Sequence, residues 1–100
     1  MFFAVRLARG GPWDWSRDLR EQEGWDEHAQ FMDSLVEDGF IVLGGPIGGD
    51  SEILHAICAD SEDEVRARLK QDNWHRNGML TITSIEPWTV LLDGRTVRPR

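Results

Sequence analysis

The sequence predicts an α+β domain built on an antiparallel sheet. Three observations carry this: a strand-like alternation opens the chain, two helical stripes recur at separate places, and two further strands are joined by a connection too short for a crossover. Residues Phe2 to Ala8 alternate, with Phe3, Val5 and Leu7 on one face and Phe2, Ala4 and Arg6 on the other, and the alternation stops at Gly10, Gly11 and Pro12. A loop carrying Trp13 and Trp15 follows, and Ser16 is expected to open a short helical turn through Asp18 to Gln22. From Trp25 to Asp38 the apolar stripe reads Trp25, His28, Met32, Leu35, Val36 and Gly39, while Asp26, Glu27, Gln30, Asp33, Glu37 and Asp38 take the other side. Gly39 is the natural stop for that helix. Phe40 to Leu43 reads as a second strand. The glycines and proline of Gly44, Gly45, Pro46, Gly48 and Gly49, with Asp50, then form a turn-rich bridge into a third, Glu52 to Ala59. Ser61 and Glu64 have capping-box spacing, so a second helix is expected from there to Gln71. A final strand is expected over Leu80 to Leu91, interrupted or re-aimed at Pro87.

The resulting order of strand, helix, strand, strand, helix, strand is the βαββαβ arrangement of ferredoxin-like domains, in which both helices cover one face of the sheet. The third strand is apolar on both sides, with Ile53 and Ile57 on one and Leu54, Ala56 and Cys58 on the other. The helix-free face therefore needs cover, and a second copy of the sheet would supply it, giving a homodimer in the form of a dimeric α+β barrel. One hundred residues fit one domain, and a chain of that size buries only about two thirds of its unfolded surface. The domain is expected over residues 1–92, with a basic tail at 93–100 holding Arg95, Arg98 and Arg100.

A net charge of −7 repels a phosphate backbone, so nucleic acid is not an expected partner. No apolar run approaches the ~18 residues of a transmembrane helix, so a membrane is not expected either. Met1 leads into a strand with no basic segment before it, and the single cysteine, Cys58, excludes a disulfide framework; Cys58 reads as a small core residue and the chain as cytoplasmic.

Two polar residues fall on faces that should be buried. His28 lies on the stripe of the first helix, and Asp72 follows Val65 and Leu69 at i+7 on the second. Each needs a partner and each can serve the other. A carboxylate at a helix C-terminus is disfavoured by roughly 0.3–1 kcal/mol, which a nearby imidazole would offset. A carboxylate accepting from one ring nitrogen fixes the tautomer and frees the other nitrogen as a base. Each residue also has a plainer reading, His28 as a core histidine bonded to a backbone carbonyl and Asp72 as an ordinary helix-terminal residue. Gly44, Gly45 and Pro46 are either a simple hairpin connection or a place where a ligand approaches bare backbone N–H groups. Of the five tryptophans, Trp13 and Trp15 are placed to form a lid or pocket wall, and Trp74 lies where it could shield Asp72 from water. His55 and His75 have no helical spacing to His28, and no closed metal site is expected.

At these residues the chain resembles the YCII-related (YciI-like) family of dimeric α+β barrel proteins. The resemblance spans almost the whole chain: Phe3 to Leu7, Glu27-His28 with Phe31 and Leu35, Leu43-Gly44-Gly45-Pro46, Asp72-Asn73-Trp74 with Gly78 and Leu80, and Ile85-Glu86-Pro87-Trp88. The chain departs from the family in carrying Asn73 where many members have proline, and in a longer stretch from Trp13 to Gln22. The resemblance implies a fold similar to muconolactone isomerase and an active site at His28 and Asp72. A few members act on ring compounds, including a dehydrochlorinase of a chlorinated hydroxyhydroquinone.

The function expected is a small cofactor-free enzyme of lyase or isomerase type. His28 would abstract a proton from a small cyclic substrate, Asp72 would orient the ring, and backbone groups near Gly45 would hold an oxyanion. The alternatives are a non-catalytic small-molecule-binding or accessory module, and a haem protein with His28 as axial ligand.

Overall fold

The computed structural model describes residues 1–96. Strand β1 (Phe2–Arg9) lies inside the sheet, pairing antiparallel with β3 (Glu52–Cys58) on one side and β4 (Leu80–Trp88) on the other. Strand β2 (Ile41–Ile47) adds antiparallel to the far edge of β3, so the order is β2-β3-β1-β4. Helices α1 (Trp25–Glu37) and α2 (Glu62–Leu69), with a short third helix α3 (Asn73–Arg76), complete a ferredoxin-like α+β fold. The core is one layer deep: Phe3, Val5 and Leu7 of β1 and Ile53 and Ile57 of β3 pack with Leu35, Val65, Leu69 and Trp74. A bulge between Arg6 and Leu7 changes the parity of the β1–β4 pairing, which lets both Ile82 and Ile85 turn toward that core.

Helix α1 ends as expected at Gly39, whose φ of +78° is the left-handed conformation glycine adopts freely. Phe40 N–H donates to Leu35 and Gly39 N–H to Val36, the two bonds of a Schellman motif. Ser61 caps α2 by accepting from Glu64 N–H, while the Glu64 carboxylate accepts from the backbone of Asp60 instead of closing the box on Ser61.

Several boundaries differ from the sequence reading. Gly44, Gly45 and Pro46 belong to β2, paired with His55, Leu54 and Ile53, and the reversal falls later, at residues 48–51. Proline is tolerated there because β2 is an edge strand and needs no inner N–H at that position. The short turn before α1 is a 3₁₀ turn, Leu19–Glu21, capped by Asp18, not Ser16. Helix α2 stops at Leu69, so Asp72 lies beyond it, and β4 runs through Pro87 on the other edge but ends at Trp88. Val36, at the end of its stripe, is exposed instead of buried. Cys58 is exposed instead of being a core residue, because the alternation of β3 turns it to the helix-free face. Arg98 and Arg100 of the expected basic tail lie outside the described residues; Arg95 pairs with Asp93 and its guanidinium lies over the Phe2 ring.

Candidate active site

The site begins with a latch between the starts of two helices. Gly24, immediately before α1, has φ +80°, and a Cβ there would fall 2.7 Å from the Asn73 side chain and 3.2 Å from the Trp74 indole nitrogen. That close approach lets Asn73 Nδ2 donate to the Gly24 carbonyl at 3.1 Å and Trp74 Nε1 donate to the Glu23 carbonyl at 2.8 Å. Asn73 stands at the first position of α3, which suits proline in general, yet its amide makes a bond that proline has no group to make. One turn into α1, His28 N–H donates to the same Gly24 carbonyl. The latch thereby sets His28 against Asp72.

His28 Nδ1 and Asp72 Oδ1 are 2.8 Å apart, with the two residues 8% and 3% exposed. An ionised carboxylate only accepts, so Nδ1 carries the proton and Nε2 of the neutral ring keeps its lone pair. Asp72 was expected at the C-terminal end of α2. It is instead the N-cap of α3, its Oδ1 also accepting from Trp74 N–H at 3.4 Å. The unfavourable dipole interaction expected for it is thus replaced by a cap, an arrangement that contributes about 1 kcal/mol. Trp74 stacks on the imidazole with ring centres 4.0 Å apart and planes 11° from parallel, so one face of His28 is sealed by indole. Among the described residues Nε2 has no hydrogen-bond partner, and it is not sealed from solvent.

The tryptophans expected at the site divide. Trp74 is in it. Trp13 is buried behind it, edge-on to Trp74 with centres 5.3 Å apart, and its other side takes the Arg9 guanidinium at 4.1 Å. Trp15 is 62% exposed, beside Trp13 at the surface. The loop that carries both is tied down by buried Gln22, which exchanges hydrogen bonds with the backbone of Asp14 and donates to Arg17. Trp25 packs at 5.9 Å from both His28 and Trp74.

His55 is the residue the sequence reading passed over. It lies between Ile53 and Ile57 on the helix-facing side of β3, 7% exposed, and it is directly opposite Gly44. Burial pushes its pKa down from 6.5 to about 4, a charge on His28 pushes the same way, and Asp72 opposes them. The alternation that put Ile53 and Ile57 on the buried face was the signal for it.

A cleft of about 340 Å³ runs between α1 and the β2–β3 pair, lined by Met32, Asp33, Val36, residues 41–45 and His55. Gly44 and Gly45 line it from an extended strand, not from a loop of bare N–H groups, and Pro46 lines a separate cleft on the opposite face with Leu54, Ala56 and Trp88. Among the described residues no group of three or more His, Cys, Asp or Glu is arranged to hold a metal ion, and no helix is long and apolar enough to cross a membrane.

Among solved structures the chain is similar to 5-chloro-2-hydroxyhydroquinone dehydrochlorinase from Burkholderia phenoliruptrix AC1100, in complex with 2,5-dihydroxybenzoquinone. The match has a TM-score of 0.65 and 22% identity over 89% of this chain and 94% of that one. The two chains share a fold. No protein-family model matches the sequence, and no curated protein does.

Proposed function

We propose that this chain is a YCII-related acid–base enzyme of lyase or isomerase type, in which His28 takes a proton from a small hydroxylated ring compound. The observation that carries the reading is the 2.8 Å contact from His28 Nδ1 to Asp72, with Nε2 left unbonded. Substrate gives a proton to Nε2, the imidazolium so formed lies between the Asp72 carboxylate and the Trp74 ring face, and both favour its charge. In a halogenated hydroquinone Nε2 returns that proton to the halogen-bearing ring carbon as the first C–O bond becomes a carbonyl, then takes the proton of the second hydroxyl as the halide leaves with the C–halogen electron pair and a quinone forms, a net loss of one proton and one halide. A general base of this kind contributes roughly 10²- to 10⁴-fold in rate.

The fold shared with a dehydrochlorinase supports small-molecule chemistry as the place to look, and the ring compound named with that enzyme supports the substrate class. A second copy of the chain completes the assembly on this reading. Phe2, Leu43, Ala56 and Trp88 line apolar clefts on the helix-free face, a surface suited to another such sheet.

The test is chloride release from 5-chloro-2-hydroxyhydroquinone, alongside other halogenated and hydroxylated rings, by the wild-type chain and His28→Asn. Turnover lost in the variant at full folded content supports the reading. Equal turnover in both removes it, and ligands that raise the melting temperature without being consumed point to a binding module.

A further inference from the structure

We propose that the cleft between α1 and the β2–β3 pair is the ring-binding pocket, and that His55 is its polar floor, bonding a hydroxyl or carbonyl oxygen of an uncharged flat ring. This deepens the acid–base reading by naming where that enzyme's substrate is held and which charge state it has.

Two features make His55 a built group. Its Nδ1 is sealed from solvent and has no hydrogen-bond partner, and it lies over Gly44, where a Cβ would come within 2.0 Å of Nδ1 and 2.7 Å of Cε1. Any side chain at 44 would displace the ring, so a glycine at that position is what allows the imidazole its place. Nε2 has no hydrogen bond among the described residues either, yet it is not sealed, and His55 lines the cleft. Buried polar side chains are ordinarily satisfied, and an imidazole without a protein partner at the floor of a cavity calls for a ligand.

The walls select the ligand. Met32, Val36, Ile41, Val42 and Leu43 are apolar, and the two glycines leave a flat stretch of bare backbone. Among the described residues no lysine or arginine lines the cleft, and Asp33 does, so a carboxylate or phosphate meets repulsion there. Burial keeps His55 uncharged near neutral pH. Nε2 of a neutral imidazole is a donor or an acceptor according to the tautomer, and a ring hydroxyl can meet it in either role. Met32 is one helical turn from His28, so a ring whose oxygen rests on His55 lies along the helix face that carries the base.

The experiment uses hydroquinone under argon as probe and benzoate as the anionic ring of similar size. Binding is followed through the histidine ring signals in NMR, for wild type, Gly44→Ala, His55→Phe and His55→Gln. Hydroquinone should shift the His55 signals in wild type, bind about tenfold more weakly to Gly44→Ala and His55→Phe, and be partly restored in His55→Gln. Benzoate should bind more weakly than hydroquinone throughout. Equal hydroquinone binding in all four chains, no shift at His55, or tighter binding of benzoate overturns the proposal. Binding is read without turnover, so a wild-type chain that binds hydroquinone but converts no ring compound refutes the acid–base reading alone.

Discussion

Acidification should destabilise this fold through His55 in a measurable and separable way. Desolvation first, and charge on His28 second, lower the His55 pKa from 6.5 to about 4 in the folded chain, against the opposing pull of Asp72. The unfolded chain therefore binds more protons at this residue between those two values. The stability that His55 contributes as a neutral ring is fully present above about pH 6.5 and is lost progressively as pH falls toward 4. At 1.36 kcal/mol per pH unit the interval amounts to roughly 3 kcal/mol, a large part of the 5–15 kcal/mol typical of a domain. Urea unfolding followed by tryptophan fluorescence at about pH 7.5, 5.5 and 4 measures it, with His55→Gln as the reference in which every other titrating group is kept. Wild type should lose roughly 3 kcal/mol more than the variant across that range. Parallel losses in the two chains would refute the argument, since they would mean that the buried imidazole is protonated as easily as an exposed one.

Three further outcomes follow from the geometry. Asp72→Asn keeps the shape but removes the charge that His28 Nδ1–H and Trp74 N–H share, and should cost about 1.5–3 kcal/mol in urea unfolding; a loss below about 0.5 kcal/mol would show the pair to be idle. Gly24→Ala combines a left-handed φ with a Cβ 2.7 Å from Asn73, and should cost about 1–3 kcal/mol and shift the Trp74 indole N–H signal, whereas an unchanged indole signal would mean that the latch does not depend on that glycine. If the proposed dimer forms through the helix-free face, Trp88→Asp places a charge on that half-exposed surface and should leave a monomer by light scattering; a wild-type chain that is already monomeric at high concentration would contradict the proposed dimer.

Much of the fold was legible because its signals are periodic. The alternation of Phe3, Val5 and Leu7 and the stripe through His28 and Leu35 are patterns that burial enforces whatever surrounds them. Gly39 was legible for a different reason, since a helix stop with positive φ favours one residue type. What escaped depends on tertiary neighbours. Gly44, Gly45 and Pro46 look like a turn until β3 is seen to pair with them, and their smallness answers to the His55 ring across the ladder, not to a reversal of the chain. Asp72 looked like the last turn of a long helix because its i+7 spacing from Val65 holds. A break after Leu69 and a new start at Asn73 preserve that spacing while reversing the end of the helix that Asp72 meets. The meeting of His28 with Asp72 is legible from two polar residues on buried faces and from the family resemblance, but the stacking of Trp74 on the imidazole and the latch through Gly24 and Asn73 have no local signature. Cys58 is exposed where its apolar run predicts burial, since such a run is buried on both sides only if the helix-free face is covered.

The proposed catalysis depends on which nitrogen of His28 holds the proton. Nitrogen-15 NMR of the histidine-labelled chain, at a pH where that ring is neutral, reads the tautomer directly. Asp72 accepting from Nδ1 predicts the Nδ1–H form with an unprotonated, basic Nε2, and Asp72→Ala should return the ring to the ordinary mixture. A neutral His28 found with its proton on Nε2 would leave no free base facing solvent and would contradict the proposed chemistry.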